Sequence, residues 1–139
     1  MNLLDTNVLS ELMKSTPSDK VIEWVGSRPL TSLYISTITQ AEILYGIRLL
    51  PDGKRKQGLQ LATEKMFSED FHERILPFDK DAAAFFAEIA SHRKQTGRPI
   101  SQFDAQIAAI ARSRGAAVIT RNDSDFSGCG VEVMNPWSS

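Results

Sequence analysis

Short, β-prone apolar segments alternate with longer amphipathic segments along this chain, and this alternation restricts the fold more than any other feature. The β-prone segments are residues 2–4, 33–36, 75–78, 118–120 and 131–134. Between them, apolar residues recur at helical spacing. Strands that alternate with helices typically form one parallel sheet that is covered on both faces. The sequence therefore predicts an α/β protein, a three-layer α/β/α sandwich around a central parallel sheet of four to five strands.

The helical segments and the chain length indicate a single domain. Helices are predicted over residues 8–14, 18–27, 38–50, about 54–71, 79–97 and 101–114, with Asp79 as an N-cap and Gly115 as a left-handed C-terminal residue. No repeat, low-complexity tract or interdomain linker interrupts them. A chain of 139 residues is long enough to bury a core without disulfides, so residues 1–139 are predicted to form one domain.

The composition excludes several classes of protein. Cys129 is the only cysteine and there are only two histidines, so an intrachain disulfide and the Cys/His clusters of zinc sites are excluded. Sixteen basic and 17 acidic side chains give a net charge of −1, without the overall basicity of many nucleic-acid-binding proteins. No apolar run approaches the roughly 20 residues that span a bilayer, and no secretion signal is recognisable. We therefore expect a soluble protein of a reducing, cytoplasmic compartment, with no membrane partner.

The first β-prone segment ends abruptly in Asp5-Thr6-Asn7. Ligands of open α/β sheets bind just outside the carboxyl ends of the strands. A buried strand over Leu3 and Leu4 would therefore deliver the Asp5 carboxylate to that edge. Asp is also a common helix N-cap, and Asp5 on its own fits a capping role equally well.

Two further acids lie where helices are predicted to start. Glu42 and Asp104 each follow a hydroxyl by three residues, in Thr39-Gln40-Ala41-Glu42 and Ser101-Gln102-Phe103-Asp104. This spacing is typical of a capping box and on its own favours a structural role. In a parallel sheet, however, both helices begin at the edge where Asp5 is expected, so the three carboxylates converge. Clustered carboxylates are best tolerated when cations neutralise them, and an all-oxygen donor set favours Mg²⁺ or Mn²⁺ and phosphate chemistry.

A fourth candidate lies in the loop that follows residues 118–120. Its sequence is Arg121-Asn122-Asp123-Ser124-Asp125, and it begins at the carboxyl end of a predicted strand. We predict Asp125 as the acid of this loop and Asn122 as its neutral partner. The alternative is an Asx turn, in which Asn122 and Asp123 bond their own backbone. Among the basic residues, we single out Arg121 as a phosphate contact.

Taken in order and with their spacing, these motifs resemble PIN-domain ribonucleases, in particular the toxins of bacterial VapBC-type toxin–antitoxin pairs. The resemblance covers essentially the whole chain. It rests on residues 3–8, Ser36-x-x-Thr39-x-x-Glu42, Asp104 with residues 107–109, Thr120-Arg121-Asn122 with Asp125-Phe126, and the closing Asn135-Pro136-Trp137. The resemblance identifies residues 1–139 as a single PIN domain.

The resemblance also implies a site, an activity and partners. Asp5, Glu42, Asp104 and an acid of the 122–125 loop would hold one or two Mg²⁺ or Mn²⁺ ions, while Thr6 and Thr120 orient the site. Several relatives carry Asp where this chain has Asn122, so a second metal ion depends on Asp125. The implied activity is hydrolysis of single-stranded RNA by a homodimer. The implied inhibitor is a cognate DNA-binding antitoxin, whose basic side chain enters the acidic site.

Two alternatives remain open. A phosphohydrolase of the haloacid dehalogenase type also begins with an Asp at a strand end, but it needs a second Asp where this chain has Asn7. The other alternative is a catalytically weak PIN-like scaffold that serves as the dimeric, antitoxin-binding partner in a DNA-binding complex. The hairpin predicted over residues 38–71 offers apolar side chains for such contacts, namely Tyr45, Leu49, Leu50, Met66 and Phe67. Burial in the core is the commoner fate of such residues.

Overall fold

A five-stranded parallel sheet forms the centre of the computed structural model, which describes residues 1–138. The strands are β1 (Asn2–Leu4), β2 (Leu33–Ser36), β3 (Ile75–Leu76), β4 (Ala117–Ile119) and β5 (Val133–Met134), in the spatial order β3-β2-β1-β4-β5. All four pairings are parallel. The predicted α/β class and strand number are confirmed. Because β1 lies in the middle, the residue after it emerges at the centre of the carboxyl edge.

Within residues 1–138, six α-helices cover the two faces of the sheet. They are α1 (Thr6–Leu12), α2 (Asp19–Gly26), α3 (Thr37–Arg48), α4 (Lys54–Lys65), α5 (Lys80–Gln95) and α6 (Gln102–Arg114). Short 3₁₀ turns cover Leu30–Ser32 and Asp123–Phe126, and a π-helical turn over Met66–Asp70 extends α4. The predicted N-cap of α5 is confirmed, because Asp79 accepts a 3.0 Å hydrogen bond from Ala82 N. The predicted left-handed residue at the C-terminus of α6 is also confirmed, because Gly115 adopts φ 65°.

The sheet separates two hydrophobic clusters, which makes the fold a three-layer sandwich. Leu3 belongs to the cluster that includes Ile107 of α6, whereas Leu4 belongs to the cluster that includes Val8 of α1 and Ile43 of α3. Successive residues of a strand face opposite sides of the sheet, so the two adjacent leucines anchor both layers. This confirms the prediction that β1 is buried on both faces.

Several element boundaries differ from the prediction, and one difference changes the interpretation of an acid. Helix α3 begins at Thr37 because the Ser36 hydroxyl, at the end of β2, accepts a 3.1 Å hydrogen bond from Thr39 N and caps the helix. Thr39 is therefore not the cap, and Glu42 lies in the second turn. The capping-box interpretation of Thr39 and Glu42 is wrong, which removes the structural explanation for Glu42.

Helices α3 and α4 form the predicted hairpin, but only part of its apolar surface is exposed. Tyr45 and Leu49 are 66% and 67% exposed, whereas Met66 and Phe67 are half-buried against the core. For Met66 and Phe67 the structure therefore shows the commoner alternative, packing against the core, and Leu50 is likewise half-buried. In the part of the chain that the structure describes, no helix combines the length and apolar character needed to cross a membrane.

Candidate active site

Asp5 follows β1 directly and lies on the floor of the candidate site. Its carboxylate accepts a 2.8 Å hydrogen bond from Thr6 N at Oδ1 and one of 2.8 Å from the Thr120 hydroxyl at Oδ2. Asp5 is therefore the N-cap of α1. It is only 5% exposed, although it also lines a surface cleft. The two interpretations of Asp5, as a cap and as a site residue, are compatible.

The electrostatic surroundings of Asp5 link it to the other two acids. Burial raises the pKa of Asp5 to about 6, the hydrogen bonds from Thr120 and Thr6 N oppose this rise, and the charges of Asp104 and Glu42 add to it. The influence of both acids on Asp5 means that the three carboxylates share one electrostatic environment. The convergence predicted from the sequence is present in the structure.

Glu42 is held in place by the hydroxyl of the half-buried Thr6. Its Oε1 accepts a 2.8 Å hydrogen bond from the Thr6 hydroxyl, which lies 2.9 Å from the Thr39 hydroxyl. Thr39 is fully buried and is fixed through its backbone N–H by Ser36. Thr39 therefore supports Glu42 through Thr6, a role that the sequence analysis did not assign to it.

Asp104 stands in the first turn of α6. The Ser101 hydroxyl caps the helix by accepting a 3.2 Å hydrogen bond from Asp104 N, as predicted. Burial raises the pKa of Asp104, and the charge of Asp125 adds to this rise, whereas the Ser101 hydroxyl and the Arg93 cation oppose it. A raised pKa in a half-buried acid beside other acids is typical of functional sites.

The loop after β4 is tied to the start of α1 by Thr120 and Asn7. The Thr120 hydroxyl, which donates to Asp5, also accepts hydrogen bonds from Asn122 N at 3.0 Å and Asn7 Nδ2 at 3.4 Å. Asn7 Oδ1 accepts from Arg121 N at 3.3 Å. Within residues 1–138 the side chains of Asn122 and Asp123 make no hydrogen bond, so the alternative of an Asx turn is wrong. The turn is instead closed by Thr120.

One cleft of about 470 Å³ brings most of the predicted site together. Its lining includes Asp5, Thr6, Glu42, Asp104, Arg121 and Asn122. Asp125 is not part of this lining. It lies in the exposed 3₁₀ turn, where its backbone oxygen accepts a 2.8 Å hydrogen bond from Arg93 and its charge acts on Asp104. Of the two candidates in this loop, the amide faces the cleft and the acid stands beside Asp104.

Sequence reasoning missed two residue pairs at the rim of the cleft. Glu11 is buried and accepts 2.9 Å hydrogen bonds from Lys14 Nζ and Ser18 N, and these bonds lower its pKa. The Arg121 guanidinium carbon lies 5.1 Å from the centre of the Trp137 ring. The only signals in the sequence were the three-residue spacing of Glu11 and Lys14 and the closing Asn-Pro-Trp segment.

The oxygen donors of the cleft suit a hard divalent cation that keeps part of its water shell. Among residues 1–138, no three His, Cys, Asp or Glu side chains lie close enough to enclose a metal ion together. Mg²⁺ dehydrates reluctantly and is commonly held by one or two carboxylates plus water and phosphate. Asp5 and Asp104 both line the cleft, and the charge of Asp104 raises the pKa of Asp5, so they supply such a pair. The donor set therefore fits Mg²⁺ or Mn²⁺ and excludes a fully enclosed protein cage within this region.

Comparison with known proteins agrees with this geometry. Residues 3–130 match the model of the PIN domain. The chain is 42% identical to toxin FitB of Neisseria gonorrhoeae, with 99% of each chain covered, and 39% identical to VapC ribonuclease Y4jK of Sinorhizobium fredii, with 99% and 98% covered. A solved structure of FitAB bound to a DNA fragment superposes with a TM-score of 0.93 at 42% identity, covering 99% of this chain and 96% of that one. The chain therefore belongs to the PIN-domain family, in the group that includes the VapC and FitB toxins.

Proposed function

We propose that this protein is a metal-dependent endoribonuclease toxin that hydrolyses RNA phosphodiesters and is inhibited by a cognate antitoxin. The observation that supports this most strongly is the convergence of Asp5, Glu42 and Asp104 on one cleft. A relative with 39% identity along the whole chain is named a ribonuclease. Capping alone does not account for Glu42, because the structure places it beyond the first turn of α3.

In this proposal the carboxylates hold Mg²⁺ or Mn²⁺, with Asp5 and Asp104 as principal ligands and Glu42 as a further ligand or water-positioning base. The chemistry supplied by such a cation is activation of a water molecule and neutralisation of charge that develops on the phosphate. Thr120 and Thr6 N fix the Asp5 carboxylate. The Thr6 hydroxyl occupies Glu42 Oε1, which leaves Oε2 to accept a proton from water.

The remaining residues of the site contribute to substrate binding and to the charge around the cleft. Arg121 is exposed, lines the cleft and stacks on Trp137, a position from which its guanidinium contacts a substrate phosphate. We keep Asp125 as the fourth acid and assign its effect to the charge that it places beside Asp104. Asn122 offers a neutral oxygen to the cleft.

The partners are also part of the proposal. FitB is named a toxin and FitAB has been solved on DNA, so we infer that this chain pairs with a DNA-binding antitoxin. An antitoxin arginine entering the acidic cleft would take the place of the metal and block catalysis. The exposed apolar side chains Tyr45, Leu49 and Phe103 support a homodimer that forms through this face. Leu49→Glu is expected to shift such a dimer towards monomer in ultracentrifugation.

A cleavage assay tests the activity. Metal-stripped, antitoxin-free protein is incubated with a mixed RNA pool, with and without Mg²⁺ or Mn²⁺, beside Asp5→Asn and the exposed control Asp81→Asn. We expect metal-dependent cleavage by the wild type and Asp81→Asn and none by Asp5→Asn. If the folded wild type leaves RNA intact with either metal, the enzyme proposal fails and the antitoxin-binding scaffold replaces it.

A further inference from the structure

Residues 135–137 form a short turn that is hydrogen-bonded to the loop carrying Arg121. The turn follows β5 directly, and β5 pairs with β4 in parallel, so the turn and the loop leave the sheet at the same edge. Asn135 Nδ2 donates a 3.0 Å hydrogen bond to the backbone oxygen of Arg121, and Asn135 Oδ1 accepts one of 2.9 Å from Trp137 N. One asparagine side chain therefore joins Arg121 to the backbone of Trp137.

The Trp137 ring contacts both the hydrophobic core and the Arg121 guanidinium. The ring is half-buried and packs against the cluster that includes Leu4 and Val8. The Arg121 guanidinium carbon lies 5.1 Å from the centre of the ring, within the range of a cation–π contact. Trp137 also lines the acidic cleft. A ring that the core holds in place therefore gives an exposed arginine a preferred position at the rim of the cleft.

The backbone of Arg121 is fixed from two sides, whereas its cation is left available. Its N–H donates a 3.3 Å hydrogen bond to Asn7 Oδ1, and its carbonyl accepts the bond from Asn135. Within residues 1–138 the guanidinium makes neither a hydrogen bond nor an ion pair. All of its N–H donors therefore remain free to bind an anion from solution.

The absence of an ion pair is unexpected, because three carboxylates line the same cleft as Arg121. They are Asp5, Glu42 and Asp104. Pairs of arginine with carboxylates form strong charge-assisted hydrogen bonds, so an unrestrained arginine at this rim would be drawn to these acids. The contact with Trp137 favours a different position of the guanidinium. The ring therefore keeps the cation and the carboxylates of one cleft apart.

We propose that the 135–137 turn holds Arg121 at the rim of the cleft, away from the carboxylates, where its guanidinium contacts a phosphate of the RNA. Trp137 is a positioning residue, because it acts on the substrate only through Arg121. Without the ring, Arg121 binds the carboxylates and competes with a divalent cation, as proposed above for an antitoxin arginine. The inference rests on the proposed ribonuclease function and adds to it the residues that position its phosphate contact.

Kinetics of two single variants test the phosphate contact and its support. Arg121→Gln removes the cation, and Trp137→Leu removes the ring but keeps an apolar side chain against the core. The matched control is Arg28→Gln, because the Arg28 guanidinium carbon lies 3.4 Å from the centre of the Trp24 ring, and neither residue lines the cleft. We measure kcat and KM for a short single-stranded RNA at saturating Mn²⁺ and several salt concentrations.

The expected changes are in KM, with kcat nearly constant. Arg121→Gln should raise KM about tenfold, the loss expected of one charge-assisted contact, and should lower the slope of log KM against log salt by about 0.7. Trp137→Leu should raise KM about two- to fivefold, which corresponds to the loss of an exposed cation–π contact. Arg28→Gln should change neither quantity. An unchanged KM in Trp137→Leu would overturn the inference.

A double variant separates positioning from a purely structural role of Trp137. In the Arg121→Gln background, Trp137→Leu should cause no further rise in KM. Trp137→Phe, which keeps an aromatic face, should recover most of the loss. Circular dichroism and urea unfolding establish that the variants are folded. If Trp137→Leu has the same effect with and without Arg121, Trp137 acts by another route and the inference is wrong.

A second measurement needs no RNA. Mn²⁺ that binds the folded state raises Tm by mass action. Trp137→Leu should show a smaller rise than the wild type, because Arg121 then competes for the carboxylates, and adding Arg121→Gln should restore the rise. Equal Mn²⁺ responses of the wild type and Trp137→Leu would contradict the inference. If the folded wild type cleaves no RNA, the ribonuclease function fails, and these Mn²⁺ responses still decide whether Trp137 keeps Arg121 away from the carboxylates.

Discussion

The Thr120 hydroxyl donates a 2.8 Å hydrogen bond to Asp5 Oδ2 across 115 residues of sequence. Thr120 is fully buried and stands at the carboxyl end of β4, beside the end of β1. The same hydroxyl accepts from Asn122 N and Asn7 Nδ2. One hydroxyl therefore fixes the buried carboxylate and also the loop that carries Asn122 and Arg121.

Replacing Thr120 with valine should damage both the fold and the site. The change removes the donor to Asp5 and leaves Asn122 N without its acceptor, at a cost of about 1–3 kcal/mol in the free energy of unfolding. Because this hydrogen bond lowers the pKa of Asp5, its loss should raise that pKa further and move the acidic limb of the activity profile to higher pH. Urea unfolding and pH–rate profiles measure the two effects. Thr120→Ser, which keeps the hydroxyl, should retain the wild-type profile.

Asp5→Asn should make the metal-free protein more stable at neutral and alkaline pH. The folded pKa of Asp5 is raised to about 6 from 3.8. The favourable contribution of Asp5 to the free energy of unfolding is therefore complete below about pH 4 and is lost as pH rises through about 6. The stability advantage of Asn over Asp should therefore grow between pH 4 and 8, by at most about 3 kcal/mol. Urea unfolding at several pH values in the presence of a chelator measures it. A difference that stays constant with pH would contradict the raised pKa.

Arg93 provides a prediction away from the acids. Its buried guanidinium donates to the backbone oxygens of Arg98, Asp125 and Ser127. Arg93→Met should leave the carbonyls of Arg98 and Asp125 without a donor, and the Ser127 carbonyl with only the weak bond from the Cys129 thiol, and should destabilise the protein by about 2–4 kcal/mol. Since the Arg93 cation also opposes the rise in the pKa of Asp104, the variant should lose cleavage at a higher pH than the wild type as the solution is acidified. Lys94→Met, an exposed neighbour, should change neither property.

The parts of the site that were predictable from the sequence depend on local signals. Two adjacent leucines before Asp5 indicate the end of a buried strand. A serine three residues before Asp104 indicates the start of a helix. In a parallel sheet these strand ends and helix starts lie at the same edge. The alternation of strands and helices in the sequence already indicated a parallel sheet. This explains why the convergence of Asp5, Glu42 and Asp104 at one edge of the sheet could be predicted without a structure, although the local signal at Glu42, the capping box with Thr39, was wrong.

The remaining features depend on tertiary packing. Ser36 and Thr39 are both suitable residue types for the N-cap of α3. Ser36 is the cap because β2 ends there and the helix begins at the next residue. The contact between the Thr6 and Thr39 hydroxyls joins residues 33 positions apart, and no local pattern indicates it. In the sequence, Arg93 does not differ from other charged residues of an amphipathic helix. Only the tertiary structure shows that it donates to the carbonyls of Asp125 and Ser127. Asp125 and Asn122 differ in their orientation relative to the cleft, which periodicity does not encode.

Asn122→Asp should convert the cleft into a more strongly acidic site. The added carboxylate would raise the pKa values of Asp5 and Asp104, and each unit of that rise corresponds to about 1.4 kcal/mol, so the metal-free variant should be less stable than the wild type at pH 7. Divalent cations bind the folded state and should reverse the loss through mass action. Thermal unfolding with increasing Mn²⁺ should therefore show a larger rise in Tm for Asn122→Asp than for the wild type, and a smaller one for Asp104→Asn. Equal Mn²⁺ responses in all three proteins would show that the cation does not bind at these carboxylates.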